Sequence, residues 1–205
     1  MFDPLIQKLD VPDDEVRFKV REALVKIGVT VVESLIAAMQ VGTIRLSWQA
    51  AVVLGQIPDP RWIIPMRTAL ESPNILLGQA AVDALENALG QEAVTPFLEA
   101  LPRCGLVVQM SLIKALERLK DIRSIKPLSV FLESTESPEL RYTIIEALGV
   151  LGDPDVIPLI NKFQNDANQH VQERVMIALE QLIERSKQDR LTIEQKNAKL
   201  GSSTS

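Results

Sequence analysis

The sequence predicts an all-α fold, a right-handed α-solenoid (an α-α superhelix) of about six stacked helix pairs. Two ladders of landmarks and one periodicity predict it. Pro65, Pro96, Pro127 and Pro158 stand 31 residues apart. One step back falls Ser34, a substituted rung, and about one more reaches Pro4. A second ladder, Leu24, Leu54, Leu85, Leu116, Leu148 and Leu179, keeps intervals of 30, 31, 31, 32 and 31 residues. Two independent landmarks sharing one period mean an internal repeat, and each unit of such a repeat buries its apolar face only by stacking on neighbours.

The second helix of each unit is written around the ladder leucine. Eight residues before it stand Val16, Leu46, Leu77, Val108, Leu140 and Val171, and four before it Val20, Ala50, Ala81, Leu112, Ile144 and Val175. Three after it come Ile27, Ile57, Ala88, Leu119, Leu151 and Leu182. At ~100° per residue these slots share one stripe, which makes the segment a helix and not a strand. The slot just before the leucine is small in most copies (Ala23, Ala84, Ala115, Ala147, Ala178), which allows close helix approach.

The first helix of each unit carries the ladder proline. In the stretch GDPDVIPLI, Asp153 caps, Pro154 takes the first helical position, and Pro158 falls near the end of the first turn. Backbone N–H groups there have few intrahelical partners, so a proline loses little. Ser72-Pro73 and Ser137-Pro138 suit the cap and first position of the second helices. The pairs expected are residues 2–27, 29–57, 58–89, 90–120, 121–152 and 153–185, one solenoid over 1–185. Residues 186–205 turn polar and are expected to be a disordered tail.

Composition narrows the function. Hydrophobic residues make up 46% and aromatics 4%, so the core is Leu, Ile, Val and Ala. A net charge of −5, with basic residues scattered, argues against nucleic acid as partner. Cys104 is the only cysteine, which excludes an intrachain disulfide and a cysteine-based metal cage. The opening MFDPLIQKLD lacks the basic and apolar regions of a signal peptide, and no apolar run reaches the ~18 residues of a membrane span. A cytoplasmic protein without membrane insertion is expected. No P-loop, dinucleotide fingerprint, nucleophile elbow or HExxH occurs, and no catalytic or metal-ligating residue is expected.

The pattern L-G-D-P-x-x-I-P-L, clearest in Leu151–Leu159 and echoed in Val53–Pro65, resembles the HEAT-like repeat of the phycobilisome (bilin) lyase family. The resemblance covers about residues 1–185. It implies a stack of HEAT-like helix pairs whose second helices line a concave surface. It also implies either an adaptor role or a subunit of a two-subunit lyase attaching a bilin to a phycobiliprotein cysteine. The chain departs from the family pattern in keeping the arginine of the second helix only at Arg17 and Arg141. The adjacent His and Cys of the isomerising lyases have no counterpart.

On the side of the second helices facing away from the stripe, six residues before the leucine, stand Phe18, Trp48, Gln79, Met110, Tyr142 and Glu173. Large apolar groups at one solvent-directed slot mark a binding strip, whereas tight curvature would instead pack them on the next layer. Phe18, Trp48, Met110, Tyr142, Arg17 and Arg141 are the candidate partner- or bilin-binding residues. Arg17 and Arg141 flank the stripe, suited to an ion pair between layers or, on the lyase reading, to a bilin propionate. Arg103 beside Cys104 favours a thiolate, though a lone loop cysteine is more often incidental, and the sole histidine, His170, reads as a surface residue. The expectation is a non-catalytic protein-binding scaffold without cofactor. The alternative is a lyase subunit holding phycocyanobilin, with a second HEAT-like subunit or a phycobiliprotein as partner.

Overall fold

Each repeat opens with a short helix and closes with a longer one. In the computed structural model, which describes residues 4–202 and side chains through Gln188 and at Thr192, α1 is Pro4–Gln7, α2 Asp14–Ile27, α3 Val32–Val41 and α4 Ile44–Leu54. Then follow α5 Ile63–Ala69, α6 Ile75–Leu89, α7 Val94–Ala100 and α8 Leu106–Leu119. The last four are α9 Ile125–Ser134, α10 Pro138–Leu151, α11 Ile157–Asn161 and α12 Gln169–Ser202. The chain is an all-α solenoid of HEAT-like pairs, with no strand among the described residues.

Local chemistry sets the helix starts. Side-chain oxygens of Asp13, Thr43, Asn74 and Ser137 each accept a backbone N–H of the first turn, at 2.9 to 3.3 Å, satisfying donors that have no intrahelical partner. Ser137-Pro138 thus caps and starts α10 as the sequence suggests. At Ser72-Pro73 the cap moves two residues on, to Asn74, because the Ser72 hydroxyl is already accepting the Asn74 N–H at 3.1 Å.

The first helices differ from expectation in one respect. Asp59, Asp121 and Asp153 each accept the N–H two residues on and nucleate a single 3₁₀ turn, and the α-helix begins only after it. Pro154 therefore starts the turn, and Pro158 becomes the second residue of α11. Pro65, Pro96 and Pro127 are third in α5, α7 and α9, where an N–H would still lack a carbonyl partner.

The chain divides into two compact units, residues 1–115 and 116–205. In the first, Leu24, Leu54 and Leu85 are fully buried together with Leu35, Met66 and Phe97. Trp62 joins this core and donates its indole N–H to the Ile57 carbonyl at 2.9 Å, so the ring is buried without an orphaned donor. In the second unit Leu116, Leu148, Ile144, Ile160, Val175 and Leu182 are buried, and α10 packs along α12. Small residues set the spacing: Gly55 lies against Ala84 in the first unit and Gly149 against Ala178 in the second.

Three stripe positions are exposed, and Leu119 and Leu179 are only half-buried. Val16 and Ile27 are exposed because α2 belongs to the first pair and has no described pair before it, and Ala88 is exposed near the end of α6. In the segment expected to be a disordered tail, the described residues to 202 continue α12. Good helix formers (Lys, Gln, Arg, Leu, Glu, Ala) predominate up to Gly201, and α12 runs as helix through Ser202. Residues 203–205 lie outside the described residues. Residues 14–41 form one stretch long and apolar enough to cross a membrane. Here it is two helices, α2 and α3, joined through Gly28 at φ 74°, and it gives Leu24, Val32, Leu35 and Ala38 to the core.

Candidate functional site

The residue six before each ladder leucine leaves the helix opposite its buried stripe. In the first unit this slot puts Phe18 at 53% exposure, with Trp48, Gln79 and Met110 half-buried. In the second unit Tyr142 is half-buried and Glu173 exposed. These large side chains lean partly on their neighbours yet keep one side open to water.

A second series was missed by the sequence reading. Ten residues before the leucine, in the first turn of α4, α6 and α8, stand Ile44, Ile75 and Leu106, exposed by 71%, 49% and 42%. Leu76 and Val107 beside them are exposed too. These residues lie one turn from Trp48, Gln79 and Met110 on the same face. The signal was available: apolar residues follow directly on Thr43, Asn74 and Gly105, where a helix start ordinarily carries acidic or polar groups.

In the second unit, a pocket of about 350 Å³ is lined by Tyr142 of α10 and by His170, Glu173, Arg174 and Ile177 of α12. Arg174 reaches Glu146 at 3.3 Å, His170 Nδ1 lies 3.5 Å from Glu173, and the Gln169 amide donates to Glu173 at 3.1 Å. A larger groove of about 620 Å³ lies on the first helices of the first unit. The ladder prolines Pro65 and Pro96 line it, and the ion pairs Arg67–Glu99 (3.0 Å) and Arg103–Glu71 (2.7 Å) are at its wall.

The two arginines take different roles. Arg141 of α10 reaches Asp166, in the connection before α12, at 3.0 Å and donates Nε–H to the Thr135 carbonyl at 3.1 Å, with its guanidinium over the Phe163 ring. It ties one pair to the next. Arg17 is buried and stays within its own pair, bonded to the Val11 carbonyl and to Asp14. It is not presented on the open face, contrary to its place in the expected strip.

Cys104 is not the reactive thiol that Arg103 suggested. Its Sγ is buried and donates to the carbonyls of Leu70 (3.2 Å) and Ala100 (3.3 Å). Burial, and next the Glu71 carboxylate, push the thiol up to about 11, outweighing the pull of Arg103. The Arg103 guanidinium is itself held by Glu71.

The fold is that of an α-solenoid built from HEAT-like helix pairs. Residues 125–192 match the family model described as HEAT repeats. Deoxyhypusine hydroxylase of Drosophila melanogaster is 27% identical over 103 residues, and that of Danio rerio 31% over 103 residues. Each alignment takes in 50% of this chain, and the chain spans 34% of the length of either relative. Among solved structures, a chain from the work on microtubule plus-end tracking by XMAP215, CLIP-170 and EB1 is 18% identical with a TM-score of 0.53, covering 89% of this chain and 91% of that one. It shares the fold. The complex of CpcE and CpcF of phycocyanin lyase from Nostoc sp. PCC7120 is 23% identical with a TM-score of 0.34, covering 93% and 68%, too distant to carry an argument.

The hydroxylase relatives overturn one expectation. Adding an oxygen atom needs a redox-active centre, such as iron, that side chains alone do not supply. Neither the expected absence of a cofactor nor phycocyanobilin as bound substrate stands against that likeness. The described residues do not fit such a centre themselves. No group of three His, Cys, Asp or Glu is placed to hold a metal ion among them, and His170 is the chain's only histidine.

Proposed function

We propose that the chain is a binding scaffold that holds a partner protein or peptide on the exposed faces of its second helices. The observation that carries this reading is the row of large apolar side chains repeated from one second helix to the next: Ile44, Ile75 and Leu106 beside Trp48 and Met110, with Phe18 on α2. Such a row costs solubility unless something covers it, and aromatic and Met side chains are favoured at interface centres. The relatives' hydroxylase activity is not carried over, since the chain matches a third of their length. The bilin lyase alternative, with a second HEAT-like subunit or a phycobiliprotein as partner, rests on the repeat motif alone.

Photo-crosslinking in cells tests the reading. A benzoylphenylalanine replacing Ile44 is expected to capture one reproducible protein, and Trp48→Glu to abolish the capture. The control replaces Val130, equally apolar and 62% exposed but on first helix α9. Equal capture at both positions, or none at position 44, overturns the reading.

A further inference from the structure

The pocket between α10 and α12 has a composition of its own. Its walls are the Tyr142 ring and the Ile177 side chain, with Met176 exposed alongside. Around it on the same helix faces stand carboxylates. Glu139 lies one turn before Tyr142 and Glu146 one turn after, Glu173 lines the pocket, and Glu180 lies two turns beyond Glu173. The one guanidinium lining the pocket, that of Arg174, is already engaged by Glu146 at 3.3 Å. An incoming carboxylate would therefore meet a spent cation inside an acidic surround. An incoming ammonium or guanidinium would meet Glu173 at the wall and the Tyr142 ring, with apolar surface for its methylene stem. The Glu173 carboxylate already accepts from Gln169 and lies 3.5 Å from His170 but keeps lone pairs for a further donor.

We infer that this pocket receives a lysine or arginine side chain of a partner, so that the second unit selects basic, apolar segments. The inference rests on the scaffold reading above and names the chemistry of its partner. A volume of about 350 Å³ accommodates one such long side chain and leaves the backbone of the segment outside. Charge complementarity of this kind sets which partner is accepted more than how tightly it is held.

The test is an NMR titration of the full chain, isotope-labelled, with a short synthetic peptide of Leu, Ser and Arg and with its counterpart carrying Glu at each Arg. The Arg peptide is expected to shift amides of α10 and α12 around Tyr142 and Ile177 and to bind about tenfold or more tightly than the Glu peptide. Tyr142→Ala and Glu173→Gln are each expected to weaken the Arg peptide severalfold while leaving the helical circular dichroism unchanged. Equal binding of the two peptides, shifts confined to other helices, or no shifts at all overturns the inference. Capture at position 44 with failure here removes the charge preference alone, whereas silence in both experiments removes the scaffold reading with it.

Discussion

Gly55, which ends α4, faces Ala84 of α6 so closely that a Cβ built on the glycine would lie 2.7 Å from the alanine Cβ. The corresponding slots meet in the second unit, where Gly149 would come within 2.9 Å of the Ala178 Cβ. Replacing Gly by Ala in a helix ordinarily gains up to about 1 kcal/mol, whereas overpacking costs about 1–3 kcal/mol. The atoms in the way are short and fixed to helix backbone, so the clash wins. Gly55→Ala and Gly149→Ala are each expected to lower stability by about 1 kcal/mol in urea unfolding. Gly105→Ala, with nothing within 4 Å, is expected to be neutral or stabilising.

Asp166 is nearly closed to solvent, and Arg141 is its ion-pair partner at 3.0 Å. Removing the arginine strands a desolvated carboxylate and frees the Thr135 carbonyl as well. Arg141→Met is expected to cost about 2 kcal/mol, read as a lowered unfolding temperature. Asp166→Asn, which keeps an acceptor, should cost less. Equal, negligible losses would show that the pair contributes nothing.

The thiol of Cys104 is held neutral. Because its folded-state pKa is raised from 9.0 to about 11, the stabilisation is complete below pH 9 and is lost as pH climbs from there towards about 11. Iodoacetamide at pH 8 is expected to modify the native chain far more slowly than the urea-unfolded chain, with mass spectrometry as readout. Comparable rates in the two states would place the sulfur at the surface.

Exposure separates face from core. Ile44→Glu, at a position 71% exposed, is expected to move stability by no more than about 0.5 kcal/mol. Leu54→Ala, ten residues on and fully buried, is expected to cost about 2–5 kcal/mol. Thermal unfolding of the two variants checks both. A loss at Ile44 matching that at Leu54 would mean the apolar row is structural.

The period was legible in the sequence because every repeat solves one packing problem with the same slots. Leu24, Leu54, Leu85, Leu116 and Leu148 are all buried, and each expected pair has its two helices. What a linear reading could not supply was context. The 3₁₀ turns after Asp59, Asp121 and Asp153 depend on a side chain satisfying a nearby N–H, which the proline ladder does not record. The fate of Cys104 turned on which carbonyls its sulfur met, and that of Arg17 on a bond to Val11 within its own pair. The row at Ile44, Ile75 and Leu106 is legible in the sequence as apolar residues that directly follow Thr43, Asn74 and Gly105.

In the first unit, Arg61 crosses from one repeat to the preceding one, donating to the Val29 carbonyl at 2.9 Å and to Glu33 at 3.0 Å. Arg67 and Arg103 make similar bridges to Glu99 and Glu71. All three side chains are about half exposed, and exposed ion pairs weaken as salt is added. The seam at Gly55 and Ala84 is made of methyl and methylene contact and does not respond to ions. Added salt therefore bears on these exposed bridges and leaves the apolar seam untouched.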